Sequence, residues 1–208
     1  MIVLDIEICK GPVYNKDYPN HEYAAGWADF TGMGIAVLCL YDYKDDSYKI
    51  WTDKGQCNTF NLSLIEDRRK LSDIIALRDI VAGYNIKKFD APLMEANGFL
   101  VCDDQIYDIL EQLWFAVGLS KQFNPRTHGG YGLDTVSKLN LDNQGKTGHG
   151  ALAPFMWQDG KFQEVIDYCQ NDVKLTKDLL DLVFIQGGLI DPKSKKVVKM
   201  ALPTVVYK

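Results

Sequence analysis

Ile2-Val3-Leu4-Asp5-Ile6-Glu7-Ile8 is an apolar, largely β-branched run interrupted by two acids at alternate positions. Successive side chains of a strand point to opposite faces, so the run reads as a strand with Asp5 and Glu7 on one face and Leu4 and Ile6 on the other. At about 3.3 Å per residue the two carboxylates stand about 6 to 7 Å apart along the strand, a spacing that suits hard cations with oxygen ligands. An isolated acid-x-acid strand is commonly a solvated edge, so the metal reading depends on matching acids elsewhere.

Such acids follow at two places. Residues 80–84 read as a second core strand that runs into Asn85-Ile86-Lys87-Lys88-Phe89-Asp90, and a helix opens at Ala91-Pro92. Asp90 therefore stands at a strand-to-helix junction, where service as an N-cap would by itself account for it. Residues 162–185 form the longest helical pattern, with Phe162, Val165, Ile166, Cys169, Val173, Thr176, Leu180 and Val183 on one stripe. Tyr168 and Asp172, four residues apart, share a face beside that stripe.

Between these segments the chain alternates strands and helices. Residues 34–43 and 47–52 read as a hairpin turned at Lys44, Asp45 and Asp46. Ser63 and Glu66 are spaced as a capping box for a helix carrying Leu71, Ile74 and Ile75. Residues 101–108 suggest a short strand, after which Asp108 and Glu111 cap another helix in a structural role. Residues 133–141 suggest a short helix; residues 9–33, 118–132 and 143–160 read as loops. The first of these carries Tyr14, Tyr18, Tyr23, Trp27 and Phe30, rings suited either to packing on the sheet edge or to stacking on bases. Gly145-Lys146-Thr147 fails as a phosphate loop, because Asn140 stands where the first glycine is required. His21, His128 and His149 read as solvated loop histidines. Beyond the long helix, Leu189, Ile190 and residues 197–200 suggest a terminal hairpin carrying Lys193, Lys195, Lys196 and Lys199.

With 208 residues, 47% of them hydrophobic, the chain can bury one sizeable core. A net charge of -5 excludes coating of nucleic acid by bulk electrostatics but allows a local basic groove. Five scattered cysteines without a C-x-x-C pair, no apolar run of about 18 residues and no leader ahead of Asp5 point to a reducing compartment and a cytoplasmic protein, not to a membrane.

In this order, Asp5-Ile-Glu7, Asn85-x-x-x-Phe89-Asp90 and Tyr168-x-x-x-Asp172 resemble the three motifs of the DEDD exonucleases, the DnaQ-like superfamily that includes the proofreading domains of DNA polymerases. The tyrosine of the last motif places the resemblance with the DEDDy branch. It implies an α/β, ribonuclease H-like fold over residues 1–185, with a mixed five-stranded sheet flanked by helices, followed by a hairpin extension over 186–208. It further implies that Asp5, Glu7, Asp90 and Asp172 hold two divalent cations, Mg²⁺ or Mn²⁺, and that Tyr168 orients the attacking water. Asn85, Phe89 and Ile8 would meet the substrate, although Ile8 and Cys9 stand where many relatives carry a threonine pair. The implied activity is 3′–5′ exonuclease cleavage of single-stranded nucleic acid, DNA in preference to RNA, with a polymerase or a replication or repair protein in trans as candidate partner. An endonuclease of the same fold and an inactive nucleic-acid-binding module are the competing readings.

Overall fold

The computed structural model describes residues 1–148 and 150–203, so His149 and the last residues of the expected extension lie outside the described residues. The opening run forms strand β1 (Ile2–Ile8), followed after a long loop by α1 (Phe30–Met33), β2 (Ile35–Asp42), β3 (Ser47–Thr52) and β4 (Phe60–Asn61). Next come α2 (Ile65–Ala76), β5 (Val81–Gly83), α3 (Asp90–Ala96), β6 (Ile106–Asp108) and α4 (Ile109–Ala116). The chain continues through α5 (Pro125–His128), α6 (Leu133–Asn140), α7 (Ala153–Gln158), α8 (Phe162–Gln186), β7 (Gly188–Ile190) and β8 (Val197–Lys199).

Six strands form one mixed sheet in the order β4-β3-β2-β1-β5-β6, and β7 pairs with β8 as a separate hairpin. The strand beyond the expected five is β4, two residues lying parallel to β3 and too short to show any periodicity. β1 sits in the interior, antiparallel to β2 with Asp5 opposite Cys39, and parallel to β5. The alternation in β1 divides the core in two. Val3, Val37, Cys39 and Ala82 pack under α8, α6 and α4, whereas Ile2, Leu4, Ile6, Leu38 and Leu40 pack with Leu71, Ile75, Leu93 and Met94 of α2 and α3. Asp5 and Glu7 belong by parity to the α8 face, which is why a strand near the middle of the sheet tolerates them: their oxygens open towards the end of α8 that carries Tyr168 and Asp172.

Several local readings are corrected. The helix expected after Ser63 begins at Ile65 with Leu64 as N-cap and no side-chain cap, because the Ser63 hydroxyl bonds Asn61 while Asp67 receives the Asn61 N–H. Asp90 is the first residue of α3, not its cap; Phe89 holds the cap position. The loop expected over residues 143–160 contains α7, a helix with Pro154 in its first turn. His128 is buried, with Nε2 at 2.8 Å from the Ser120 carbonyl and its ring edge-on to Trp114. Asp108 does cap α4, receiving Leu110 and Glu111 N–H, and it also receives the N–H groups of Asn85 and Lys87.

Candidate active site

Three elements bring the acids together. Asp5 and Glu7 come from β1, whose register slips between Glu7 and Ile8, an irregularity of the kind that re-aims a side chain at the end of a strand. Asp90 comes from the turn after β5. Gly83 is required there, since a Cβ would stand 2.8 Å from Ile86 Cβ and 3.2 Å from the Leu4 carbonyl oxygen. Asn85 then takes a left-handed φ of 66°, and Asp108 pins the backbone on either side of Ile86. Tyr168 and Asp172 come from the first half of α8.

Asp5, Glu7 and Asp172 each offer an oxygen within 4.8 Å of the others. Asp90, 4% exposed, falls outside that triplet but acts electrostatically on Asp5 and Glu7. Burial first, and then Asp172, pushes Asp5 up to about 7. Burial and neighbouring acids raise Glu7 and Asp90 well above the ordinary carboxylate range, and burial raises Asp172 despite its contact with Lys146. The cluster thus holds more negative charge than its surroundings can ionise comfortably.

Lys146 is the residue sequence reasoning missed. Its Nζ lies 2.5 Å from Asp172 Oδ2 and 5.0 Å from the centroid of the Tyr168 ring. Burial would lower its pKa, but Asp172 and Asp5 hold it above the usual lysine value. The Lys146 backbone is fixed by Asp134, which receives its N–H at 2.9 Å. Two glycines then let the chain close over Tyr168, a Cβ at Gly148 or Gly150 falling 3.2 Å from the ring carbon Cδ2 or from the hydroxyl. Among the described residues, neither the Tyr168 hydroxyl nor Asp172 Oδ1, both buried, meets a partner at hydrogen-bond geometry. Burial, and the charge of Asp172, raise the Tyr168 pKa, so it keeps its proton. Two buried polar atoms left unpaired beside three convergent carboxylates fit a site for divalent cations, hard ions that take oxygen ligands.

Two clefts meet at these acids. One, of about 730 Å³, is lined by Ile8, Tyr14, Trp27, Phe89, Phe155 and Tyr168, and reaches Asp5 and Lys146. The other, about 530 Å³, runs from Asp5 and Lys146 past Asn85, Lys88, Trp114 and Phe123 to the backbone of Gly129–Gly130–Tyr131. The aromatic loop packs through some of its rings, on α7 and not on the sheet edge, and leaves others exposed. Tyr18 stacks on Phe155 with centroids 4.3 Å apart, and Gln158 donates to the carbonyls of Cys9 and Glu22, so the loop is pinned to α7. Tyr14 and Trp27, 63% and 65% exposed, line the larger cleft, Tyr14 with its ring 5.4 Å from that of Tyr23.

No protein-family model and no curated protein sequence matches this chain. A solved structure does: the family B DNA polymerase from the hyperthermophilic archaeon Pyrobaculum calidifontis, with a TM-score of 0.56 and 16% identity over 88% of this chain. The fold is ribonuclease H-like. The chain spans 24% of that polymerase's length, and the likeness is one of architecture. Asp5, Glu7 and Asp172 could hold a metal ion. Among the described residues no helix is long and apolar enough to cross a membrane.

Proposed function

We propose that the chain is a metal-dependent 3′–5′ exonuclease of the DEDDy type that hydrolyses single-stranded nucleic acid, DNA in preference to RNA, to nucleoside 5′-monophosphates. The observation that carries this reading is the convergence of Asp5, Glu7 and Asp172, with Asp90 beside them, on the unpaired Tyr168 hydroxyl where two clefts meet. The four acids would hold two divalent cations, Mg²⁺ or Mn²⁺. Bound there, the cations supply Lewis-acid charge that eases ionisation of the attacking water and offsets charge building on the phosphoryl oxygens and the leaving 3′ oxygen.

The chain supplies the rest. Tyr168, held protonated, has one hydroxyl with which to orient the water. Lys146 adds a fixed positive charge where the phosphoryl group becomes more negative. The larger cleft, mostly apolar and aromatic, takes the terminal nucleotide, with Ile8 and Phe89 against the base and sugar and Tyr14 and Trp27 free to stack. Asn85, on the second cleft, faces the nucleotide on the other side of the cut. A polymerase or a replication or repair protein acting in trans would deliver the single-stranded ends.

The test is a digest of end-labelled linear and circular single strands of DNA and RNA with Mg²⁺, Mn²⁺, Ca²⁺ or EDTA. Linear strands should shorten from the 3′ end in Mg²⁺ or Mn²⁺. Ca²⁺ should support little turnover, since its bonds of about 2.3 to 2.6 Å and loose geometry misplace the water. Full activity in EDTA would overturn the metal assignment. Efficient cutting of the circle would favour an endonuclease, and binding without cleavage an inactive module.

A further inference from the structure

The second cleft does not stop at Tyr131. That residue, 3% exposed, also lines a surface groove of about 490 Å³ with Arg126, Thr127, Asp191, Lys193 and Ser194, so the two hollows share a wall. The wall is braced from both sides. Tyr84 donates its hydroxyl to the Tyr131 carbonyl, and the Tyr131 hydroxyl donates to Asp191 Oδ1 at 2.7 Å. Asp191 in turn receives the N–H groups of Lys193 and Ser194, which shapes the turn between β7 and β8. Lys193 crosses back, donating to the Thr127 carbonyl with its Nζ 5.1 Å from the Tyr131 centroid.

Arg126 and Lys193 line the groove itself, and the chain leaving it is rich in lysine. The turn and β8 carry Lys193, Lys195, Lys196 and Lys199, all exposed, against the single buried Asp191, in a chain whose net charge is -5. Among the described residues, neither Arg126 nor any of these four lysines forms an ion pair. Lys88, its Nζ 4.6 Å from the Trp114 ring centroid, is a further exposed cation on the way from the acids. Polar and apolar roles are thus divided between the two ends: an aromatic chamber on one side of the acids, a lysine-bordered path on the other.

We propose that the Arg126 and β7–β8 face is a track for the sugar-phosphate backbone of the single strand whose end enters the acidic site. This rests on the exonuclease reading for its direction, the track holding the strand 5′ of the scissile bond, but its chemistry is simple charge complementarity to a polyanion. Each lysine that neutralises a phosphate of a single strand contributes about 0.7 to the slope of log affinity against log salt. The hairpin is therefore part of the binding surface.

The experiment compares wild type with Lys195→Ala/Lys196→Ala, whose side chains make no hydrogen bond or ion pair among the described residues, and with Arg126→Ala. Binding of fluorescein-labelled dT12 is followed by anisotropy across a KCl series in EDTA, and cleavage of dT12 and of a dinucleotide is followed in Mn²⁺. The double variant should bind dT12 with a salt slope shallower by about 1.4, the loss of two phosphate contacts. It should raise KM for dT12 while leaving kcat on dT12 and both constants on the dinucleotide unchanged, because the dinucleotide is too short to reach the track. An unchanged slope and unchanged dT12 affinity in both variants would overturn the track, whatever the activity. Absence of cleavage with the slope change intact would instead remove the exonuclease reading and leave the track standing. Equal losses on dT12 and the dinucleotide, with an unchanged slope, would make the hairpin a brace only.

Discussion

Asp42 and Asp5 lie on neighbouring strands, one at the end of β2 and the other inside β1, and both carry carboxylates into the protein. Asp42, fully buried, meets Arg78 through two hydrogen bonds of 2.9 and 2.6 Å and Lys49 at 3.3 Å. Burial alone would raise its pKa; the Arg78 and Lys49 partners and the Lys44 N–H bring it down to about 2. Asp5 shares its surroundings with Glu7, Asp90 and Asp172 and, among the described residues, with the cation Lys146, and burial and Asp172 push it up to about 7. Two carboxylates in one sheet thus stand on opposite sides of their ordinary value. Asp42 is compensated within the chain, whereas the group around Asp5 is left short of positive charge at the place where two clefts meet.

Breaking each site in turn should give opposite results. Asp5→Ala, Glu7→Ala, Asp90→Ala and Asp172→Ala should each cut the single-turnover cleavage rate more than about 10³-fold, over 4 kcal/mol of barrier, while the metal-free melting temperature holds or rises as repulsion is relieved. Near-normal activity in any one of them would remove that residue from the site. Arg78→Met leaves Asp42 with Lys49 and the Lys44 N–H alone and should cost about 2 to 4 kcal/mol in denaturant unfolding. Its rate per folded molecule at low temperature should stay at the wild-type value.

Smaller changes sharpen the contrast. Tyr168→Phe keeps the packing and the acids and removes one hydroxyl, so a loss of roughly 30- to 1000-fold is expected, about 2 to 4 kcal/mol; a wild-type rate at saturating Mn²⁺ would reduce Tyr168 to core packing. Lys146 occupies Asp172 as a competitor for any cation. Lys146→Met should therefore tighten Mn²⁺ binding about tenfold in calorimetry, about 1.4 kcal/mol, while slowing cleavage.

The same contrast shows in pH. In EDTA the native protein binds more protons than the unfolded chain between about pH 4 and 7, because the folded pKa of Asp5 is raised, so its stability falls as pH rises through that window. A melting temperature lower by about 5 to 10 °C at pH 8 than at pH 5 is expected, about 2.6 kcal/mol. Asp42 has the reverse sign: its contribution is complete above about pH 4 and disappears only as pH falls towards 2. A metal-free melting temperature that rises from pH 5 to pH 8 would contradict the charge surplus around Asp5.

The contrast also explains what could be read from the residues in order. Asp5, Glu7, Tyr168 and Asp172 were legible because strand and helix periods fix which side chains share a face, and α8 is long enough for its stripe to show. Lys146 was not. The residues around it resemble only a failed phosphate loop, and its position over Tyr168 depends on Gly148 and Gly150 letting a non-periodic segment close down, a tertiary event without a local signal. α7 was hidden by its brevity, although Pro154 near its start and Gly160 after its end are the usual marks of a helix. The Ser63 reading failed because Asn61, two residues earlier, competes for the same hydroxyl. Nothing in the residue order tells which partner a capping side chain will choose.

The distance along the chain between the two halves of the site has a consequence for the ribosome. Cys169 Sγ lies 3.4 Å from the Asp5 carbonyl oxygen across 164 residues. At about 5 to 20 residues per second, translation separates β1 from α8 by roughly ten to thirty seconds. A chain interrupted anywhere before α8 has Asp5 and Glu7 but neither Tyr168 nor Asp172, and lacks the helix that covers that face of β1. Truncated or stalled products thus hold only part of the acidic cluster, which first assembles once α8 has been translated and packs on β1.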